Sequence, residues 1–350
     1  MKIAFDISPL ESGHKIRGIG FYTRNLSSEL KKLFDGNEWS FEEVNLRDTQ
    51  SVGYDLVHYP YFDLFFVSLP YFKKAKIVVT IHDIIPLLYP KHFPPGIKGK
   101  LKFQIQKLLL RQVDAVITDT EASKKDIVKY LAYPQERVFS VYLGTDKQFA
   151  RIEDKTKLDE LKSKYNLPEK FVLYVGDVNY NKNLVRLAEA CKLAGTTLVI
   201  VGKQATVEEF DREHPEMRAW AEFLDRFQKD PSIARLGFVT TEELVGLYSC
   251  ASVYCQASLY EGFGLPVLEA MSCGCPVVCA KTPALEEIAG DAALFADPMN
   301  SDAIASKLKV VIENSQLKEE LVAKGYQNIQ RFSWEKCADE TMGVYRTVIG

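Results

Sequence analysis

Ser258-Leu-Tyr-Glu261-Gly262-Phe263-Gly264-Leu265-Pro266-Val267-Leu268-Glu269-Ala-Met-Ser-Cys-Gly274-Cys-Pro276-Val-Val278 is the stretch on which the reading of the fold turns. Ser252 to Ala257 before it and Pro276 to Ala280 after it are apolar runs of strand character, so the segment reads as strand, glycine loop, short helix, strand. Pro266 suits the first helical position, where its missing N–H costs nothing, and Gly274 suits the residue just past the helix end. The loop Gly262 to Leu265 then offers backbone N–H groups at a helix N-terminus, a site suited to phosphate. Glu261 and Glu269, with seven residues between them, bracket that loop. A carboxylate beside a phosphate site is badly placed for phosphate and well placed for hydroxyl groups, so the pattern points to a ligand carrying both. The plainer alternative is a tight turn flanked by two solvated glutamates. Pro266, the second glutamate and the flanking strands together count against it.

The paired glutamates enclosing Gly262-Phe-Gly-Leu-Pro-Val-Leu-Glu-Ala-Met271 resemble the signature of the retaining glycosyltransferase family 4, of GT-B fold. That resemblance implies an α/β chain of two Rossmann-like domains facing an interdomain cleft, with a nucleotide-activated sugar as donor.

The composition agrees with two full cores. A chain of 350 residues, 47% hydrophobic and 26% charged, is ordinary for a globular protein and long enough for two domains. A net charge of −3 argues against a general nucleic-acid binder. No apolar run approaches the ~20 residues needed to span a bilayer, and Met1 to Asp6 enters a strand without a signal-peptide pattern, so a cytoplasmic location is expected. All seven cysteines, Cys191 to Cys337, lie in the second half inside apolar elements without CxxC spacing and read as buried free thiols. Cys273-Gly-Cys275 has no histidine near it in sequence to complete a metal set.

The first half reads as a Rossmann-like domain spanning 1–165. Lys2 to Ile7 is a strand, followed by a loop ending in Arg17-Gly18-Ile19-Gly20 and a helix from about Phe21 to Leu33. By resemblance, Gly18 and Gly20 face the donor diphosphate; a flexible surface loop is the plainer reading. Strands follow at 40–46, 55–59, 76–81, 114–119 and 137–142. His82-Asp83 comes directly after one of them, at the sheet edge where open α/β sheets bind ligands. The resemblance places His82 against the transferred sugar, whereas His58 lacks the motif and reads as core or loop. Between Ile84 and Val113 there is no acidic residue, and Lys98 to Arg111 has Leu101, Ile105 and Leu108 at helical spacing. The basic stretch 91–111 fits peripheral contact with the inner face of an anionic membrane and fits equally a packed helix with a solvated face.

The second domain, 166–331, opens with the strand Phe171 to Val175 and then Gly176-Asp177-Val-Asn179-Tyr-Asn181-Lys182-Asn183. Asn183 is expected to cap the next helix, leaving Lys182 at the strand end, where it would neutralise a departing diphosphate. In the family an Arg commonly follows the glycine, and here that position is Asp177. Arg17 or Lys203 could supply the missing charge. Strands are expected at 196–203 and 234–239. The resemblance assigns the backbone of Gly237, Phe238 and Val239 to the nucleotide base, with Thr240 starting a helix through a capping box. Residues 332–350 read as a final helix, which by resemblance crosses back to the first domain.

The resemblance thus implies a retaining hexosyltransferase acting on an acceptor hydroxyl of a growing glycan or lipid-linked saccharide. Lys182, Glu261 and His82 would act at the reacting centre. The donor would be held by Gly18, Gly20, Gly237, Phe238, Val239, Phe263, Gly264, Leu265 and Glu269. No cofactor or metal is expected. The segments Gly18 to Arg24 and His82 to Pro86 look most like bacterial mannosyltransferases, so GDP-mannose is the expected donor, with a UDP-sugar behind it. Two alternatives remain open: a non-catalytic nucleotide-sugar-binding protein, and a phosphorylase or epimerase of the same fold.

Overall fold

Twelve short strands form two separate six-stranded sheets in a computed structural model, which describes residues 1–11, 18–34, 39–46 and 53–350. The chain divides into two units, Met1–Gly144 with Phe332–Gly350, and Thr145–Arg331. The helix Lys155–Lys164 belongs to the second unit. Its Leu161 packs so tightly on the helix Thr241–Cys250 that a Cβ at Gly246 would lie 2.6 Å from it.

In the first unit the strands are β1 (Lys2–Asp6), β2 (Ser40–Val44), β3 (Leu56–Tyr59), β4 (Lys76–Thr80), β5 (Ala115–Thr118) and β6 (Val138–Ser140). They pair in the order β2-β1-β3-β4-β5-β6, all parallel. A parallel sheet carries helices on both faces, which explains why β3 and β5 are buried at every position. The closing helix Trp334–Ile349 packs within this unit, with Trp334 edge-on to Phe21 and Tyr345 buried beside β3.

The second unit repeats the plan with β7 (Phe171–Val175), β8 (Thr197–Val201), β9 (Ile233–Gly237), β10 (Val253–Gln256), β11 (Val277–Ala280) and β12 (Ala293–Ala296). The order is β12-β11-β10-β7-β8-β9, again all parallel. The chain runs outward one way through β8 and β9 and the other way through β11 and β12. The reversal leaves a crevice between the carboxyl ends of β7 and β10, the general ligand position of open α/β sheets. The unit that opened the sequence reading is present: β10 and β11 pair in parallel, Tyr254 opposite Val277, and the helix Leu265–Ser272 connects them.

Three features depart from the sequence reading. The first long helix begins at Gly18, so Gly18 and Gly20 occupy its first turn and not a loop. Arg17 lies outside the described residues. The strand β12 carries no strong sequence signal, because Ala-Leu-Phe-Ala is short and half alanine. Asn183 stands at the helix start in the left-handed region, but its side chain makes no cap. Its amide donates instead to the carbonyls of Ala257, at 2.9 Å, and Pro298, at 2.7 Å.

At the carboxyl edge of the second sheet, strand ends approach at backbone distance. Gly202 N–H donates to Gly237 O at 2.9 Å, Gly176 N–H donates to Val201 O at 2.9 Å, and a Cβ on Gly202 would sit 2.1 Å from Gly176 O. Gly202→Ala must push β7 and β8 apart at that edge. Such overpacking costs about 1–3 kcal/mol. The melting temperature should drop by roughly 3–10 °C, as read by calorimetry; an unchanged melting curve would show that the edge yields freely.

Candidate functional site

The crevice between β7 and β10 is closed by hydrogen bonds that lash its two loops together. Leu259 N–H donates to Asn181 O at 2.7 Å, and Asn181 Nδ2 donates to Tyr260 O at 3.2 Å. These bonds fix the loop after β7 against the loop after β10. They bring Lys182 Nζ within 2.8 Å of both carboxylate oxygens of Glu261. Glu261 is not solvated; it is buried, 8% exposed, and paired. Gln256, buried at the end of β10, donates from Nε2 to Glu261 Oε1 at 2.6 Å and to Ser258 Oγ at 2.8 Å. A carboxylate taken from water requires such partners, and Glu261 has a cation and an amide.

Beside this cluster the helix Leu265–Ser272 starts from Gly264, whose φ of 114° is a conformation that favours glycine. Pro266 occupies the second helical position, and Val267 N–H already turns back to Gly264 O at 2.9 Å. Phe263 is buried, and Leu265 is half-buried at the helix start. The positive end of the helix therefore lies just after the glycine pair, with Glu261 preceding it.

Glu269 stands in the second turn of the same helix. Its Oε2 accepts a hydrogen bond from Tyr248 Oη at 2.9 Å. Burial pushes its carboxyl up to about 7; the Tyr248 hydroxyl opposes that shift and the Asp146 charge adds to it. Tyr248 comes from the helix Thr241–Cys250, which Thr240 and Glu243 start through a complete capping box. The Tyr248 ring lies edge-on to Tyr254 at 5.6 Å, and Tyr254 donates to Gln256 Oε1. The two glutamates are thus connected through Tyr248, Tyr254 and Gln256. None of these three was singled out from sequence. The aromatic positions read as ordinary core, and the one available signal was a glutamine closing an otherwise apolar strand.

Gly237, Phe238 and Val239 lie where β9 ends, two strands from β7 in the same sheet. Two strand spacings are about 10 Å. Val239 is buried, while Phe238 is 76% exposed. Asp177 follows Gly176 directly after β7; its carbonyl accepts from Tyr174 Oη at 2.7 Å. Among the described residues no cation pairs with its carboxylate, and Lys203, on the loop after β8, is exposed.

The first unit has its own polar group at the sheet's carboxyl edge. His82 follows β4, Asp119 follows β5, and His82 Nδ1 lies 2.9 Å from Asp119 Oδ2. Burial opposes a charge on His82, but the Asp119 carboxylate, with help from Asp83 and the nearby Pro60 carbonyl, raises its pKa above the usual value. Its Nε2 makes no hydrogen bond of good geometry. Tyr22, from the helix that begins at Gly18, packs edge-on against the ring at 4.7 Å. Among the described residues no group of three or more metal-ligating side chains occurs, and all seven cysteines are unpaired thiols.

Residues 33–149 match the family described as Glycosyltransferase Family 4, and residues 157–328 match Glycosyl transferases group 1. The chain is 30% identical to O-antigen chain mannosyltransferase B of Escherichia coli, over 78% of this chain and 71% of that protein. It is 26% identical to a serotype-specific mannosyltransferase of Escherichia coli over 79% of this chain but only 34% of that longer protein. Among solved structures, an Anabaena protein in complex with UDP and glucose superposes with a TM-score of 0.73 over 99% of both chains at 18% identity, a likeness of fold. Two parallel Rossmann-like sheets, the glycine-led helix between two glutamates and the shared identity with the first mannosyltransferase lead to one conclusion: the chain belongs to glycosyltransferase family 4, of GT-B fold, and is a glycosyltransferase.

Proposed function

We propose that the chain is a retaining hexosyltransferase that moves mannose from GDP-mannose to a hydroxyl of a growing glycan or lipid-linked saccharide. The observation that carries this reading is the Lys182–Glu261 pair at the switch point of the second sheet, beside the glycine-led helix that bears Glu269. In the reaction the bond between the sugar C1 and the β-phosphate oxygen breaks, and its electron pair leaves with the nucleotide diphosphate. A new bond forms from C1 to the acceptor oxygen, whose proton is released. The sugar becomes cationic while the diphosphate gains charge. Lys182 and the N–H groups at Phe263, Gly264 and Leu265 answer the second change with fixed charge and dipoles.

Glu261 is assigned to the sugar side. Bound to Lys182 in the free protein, it repels a bare phosphate; a donor that offers hydroxyls to Glu261 and phosphate to Lys182 satisfies both halves of the pair. Glu269 is assigned to the ribose hydroxyls, and the backbone of Gly237, Phe238 and Val239 to the base. From the first unit His82 is assigned to the transferred sugar, and Gly18 and Gly20 to the diphosphate. No metal has a role in this scheme. Mannose rests on the mannosyltransferase names of the relatives, and the Anabaena complex with UDP and glucose keeps a UDP-sugar as the other donor. Peripheral membrane contact through 91–111 is part of the proposal, because Ile97, Leu101 and Leu108 are exposed along one helix. No helix among the described residues is long and apolar enough to cross a membrane.

A second reading is favoured by one observation. Asp177 puts a negative charge where the family commonly has a positive one, and Lys182 is already neutralised by Glu261. A non-catalytic nucleotide-sugar-binding protein would bind donor in calorimetry and release no nucleotide with any acceptor.

Lys182→Ala and Glu269→Ala should each lower transfer about 10²-fold or more, the scale of losing one preorganised charge-stabilising group, and Lys182→Ala should also lower the melting temperature because it leaves Glu261 buried without its cation. Unchanged turnover in both variants would remove the site assignment. A carboxylate that accepts hydroxyl hydrogen bonds is favoured in its charged form. Because Glu269 titrates at about 7, donor binding at pH 6–7 should lower its pKa and release a fraction of a proton. The release should fade above about pH 8, where the group is already ionised. Titration calorimetry in buffers of different ionisation enthalpy reads this directly, and Glu269→Gln should abolish it; equal release in that variant would assign the proton to another group.

A further inference from the structure

At the amino edge of the first sheet, where β5 and β6 begin, a cavity of about 210 Å³ opens between the ends of two helices, Gly96–Leu110 and Glu121–Leu131. Three cations line it, Lys107, Arg111 and Arg137, with Tyr133 at its wall, and no carboxylate does. Tyr133 donates its hydroxyl to Val113 O at 2.8 Å, and the Arg137 guanidinium lies against it. Among the described residues none of the three cations is paired with an acid. Asp114 nearby is held by Lys73 and Lys76, and Glu136 does not line the cavity. The two helix C-termini carry partial negative charge, about half a unit each, so the three cations leave an excess of about two positive charges. Such a cavity is chemically matched to a phosphate group.

The flank of the cavity is apolar. Leu108, next to Lys107, is 62% exposed, and Tyr71 and Phe72 are 63% and 80% exposed. Gln112 Nε2 holds these two aromatics near Arg111 by donating to Pro70 O at 2.9 Å. Exposed aromatic and aliphatic side chains beside a cationic pocket match the boundary between headgroups and acyl chains. His82 and Asp119 lie at the opposite edge of the same sheet, about 15 Å away by strand length.

We propose that this cavity binds a phosphate group, and that the phosphate is the headgroup of an anionic bilayer lipid, with Tyr71, Phe72 and Leu108 entering the interface. This rests on the peripheral-contact reading and is independent of the donor assignment. The test takes the full chain, vesicles of phosphatidylcholine with and without phosphatidylglycerol, and calorimetric titration with inorganic phosphate. The chain should sediment with the anionic vesicles only. Arg111→Gln with Arg137→Gln should lower that partition at least tenfold, Tyr71→Ser with Phe72→Ser should do likewise, and turnover on a water-soluble acceptor should be unchanged. If the double arginine variant fails to keep the parent melting curve, Lys107→Gln reads the same loss. Undiminished vesicle binding in the arginine variant overturns the pocket while leaving peripheral contact standing. Absence of vesicle binding by the parent, with phosphate binding that the arginine variant loses, overturns the lipid and makes a soluble phosphate compound the ligand. Binding to neither overturns both.

Discussion

The ion pair between Lys182 and Glu261 sets the terms for the second unit. Removing a lysine and a carboxylate from water costs several kcal/mol for each charge, and the pair is tolerable only because geometry and further hydrogen bonds compensate. Both Glu261 oxygens lie 2.8 Å from Nζ, and Gln256 adds a third contact. That geometry requires the loops after β7 and β10 to be held together, which the Asn181, Leu259 and Tyr260 hydrogen bonds accomplish. Asn183 extends the same anchoring to β12 through Pro298. The fold places the crevice; the polar lashing gives it one conformation.

A pair already satisfied in the free protein also shapes what can bind. A ligand offering only negative charge gains Lys182 at the expense of leaving Glu261 buried and alone, a costly exchange. A ligand offering both phosphate and hydroxyls replaces each partner with another. Glu269 adds a second carboxylate, its pKa pushed up to about 7 by burial, with Tyr248 as its donor. In the proposed function, selectivity for a sugar nucleotide over inorganic phosphate rests on these two carboxylates more than on the helix N-terminus, which is indifferent to what the phosphate carries.

The βαβ unit, its glycine loop and the acidic pair were legible because period, proline and glycine act locally, and the parallel sheets followed from apolar runs ending in polar residues. Neither the pairing of Lys182 with Glu261 nor the turning of Asn183 toward two carbonyls was legible. Each depends on partners more than seventy residues away in sequence, so spacing along the chain carries no trace of it. Gln256 and Tyr248 escaped for a different reason, since their carboxylate partners lie only 5 and 21 residues away. A glutamine in an apolar strand and a tyrosine in an amphipathic helix acquire meaning only when their partners are known. The exposed Leu101 and Leu108 show the converse. Helical spacing fits them equally to a packed face or a membrane-contacting one, and the helix buries Gly99, Gln106, Leu109 and Leu110 instead.

The two histidines of the first unit show how position within a parallel strand governs chemistry. His58 sits inside β3, wholly buried, between Tyr345 Oη at 2.6 Å and Thr80 Oγ1 at 2.8 Å. Its partners are neutral, so burial dominates, the ring stays uncharged, and its pKa falls to about 3. His82 lies just past the end of the adjacent β4, where β5 delivers Asp119 to the same edge, and the carboxylate overcomes burial. A strand interior can offer a histidine only the neutral groups of a packed core. A strand end can offer it a carboxylate and leave one ring nitrogen uncommitted. Protonated, that nitrogen is a donor with a charge behind it.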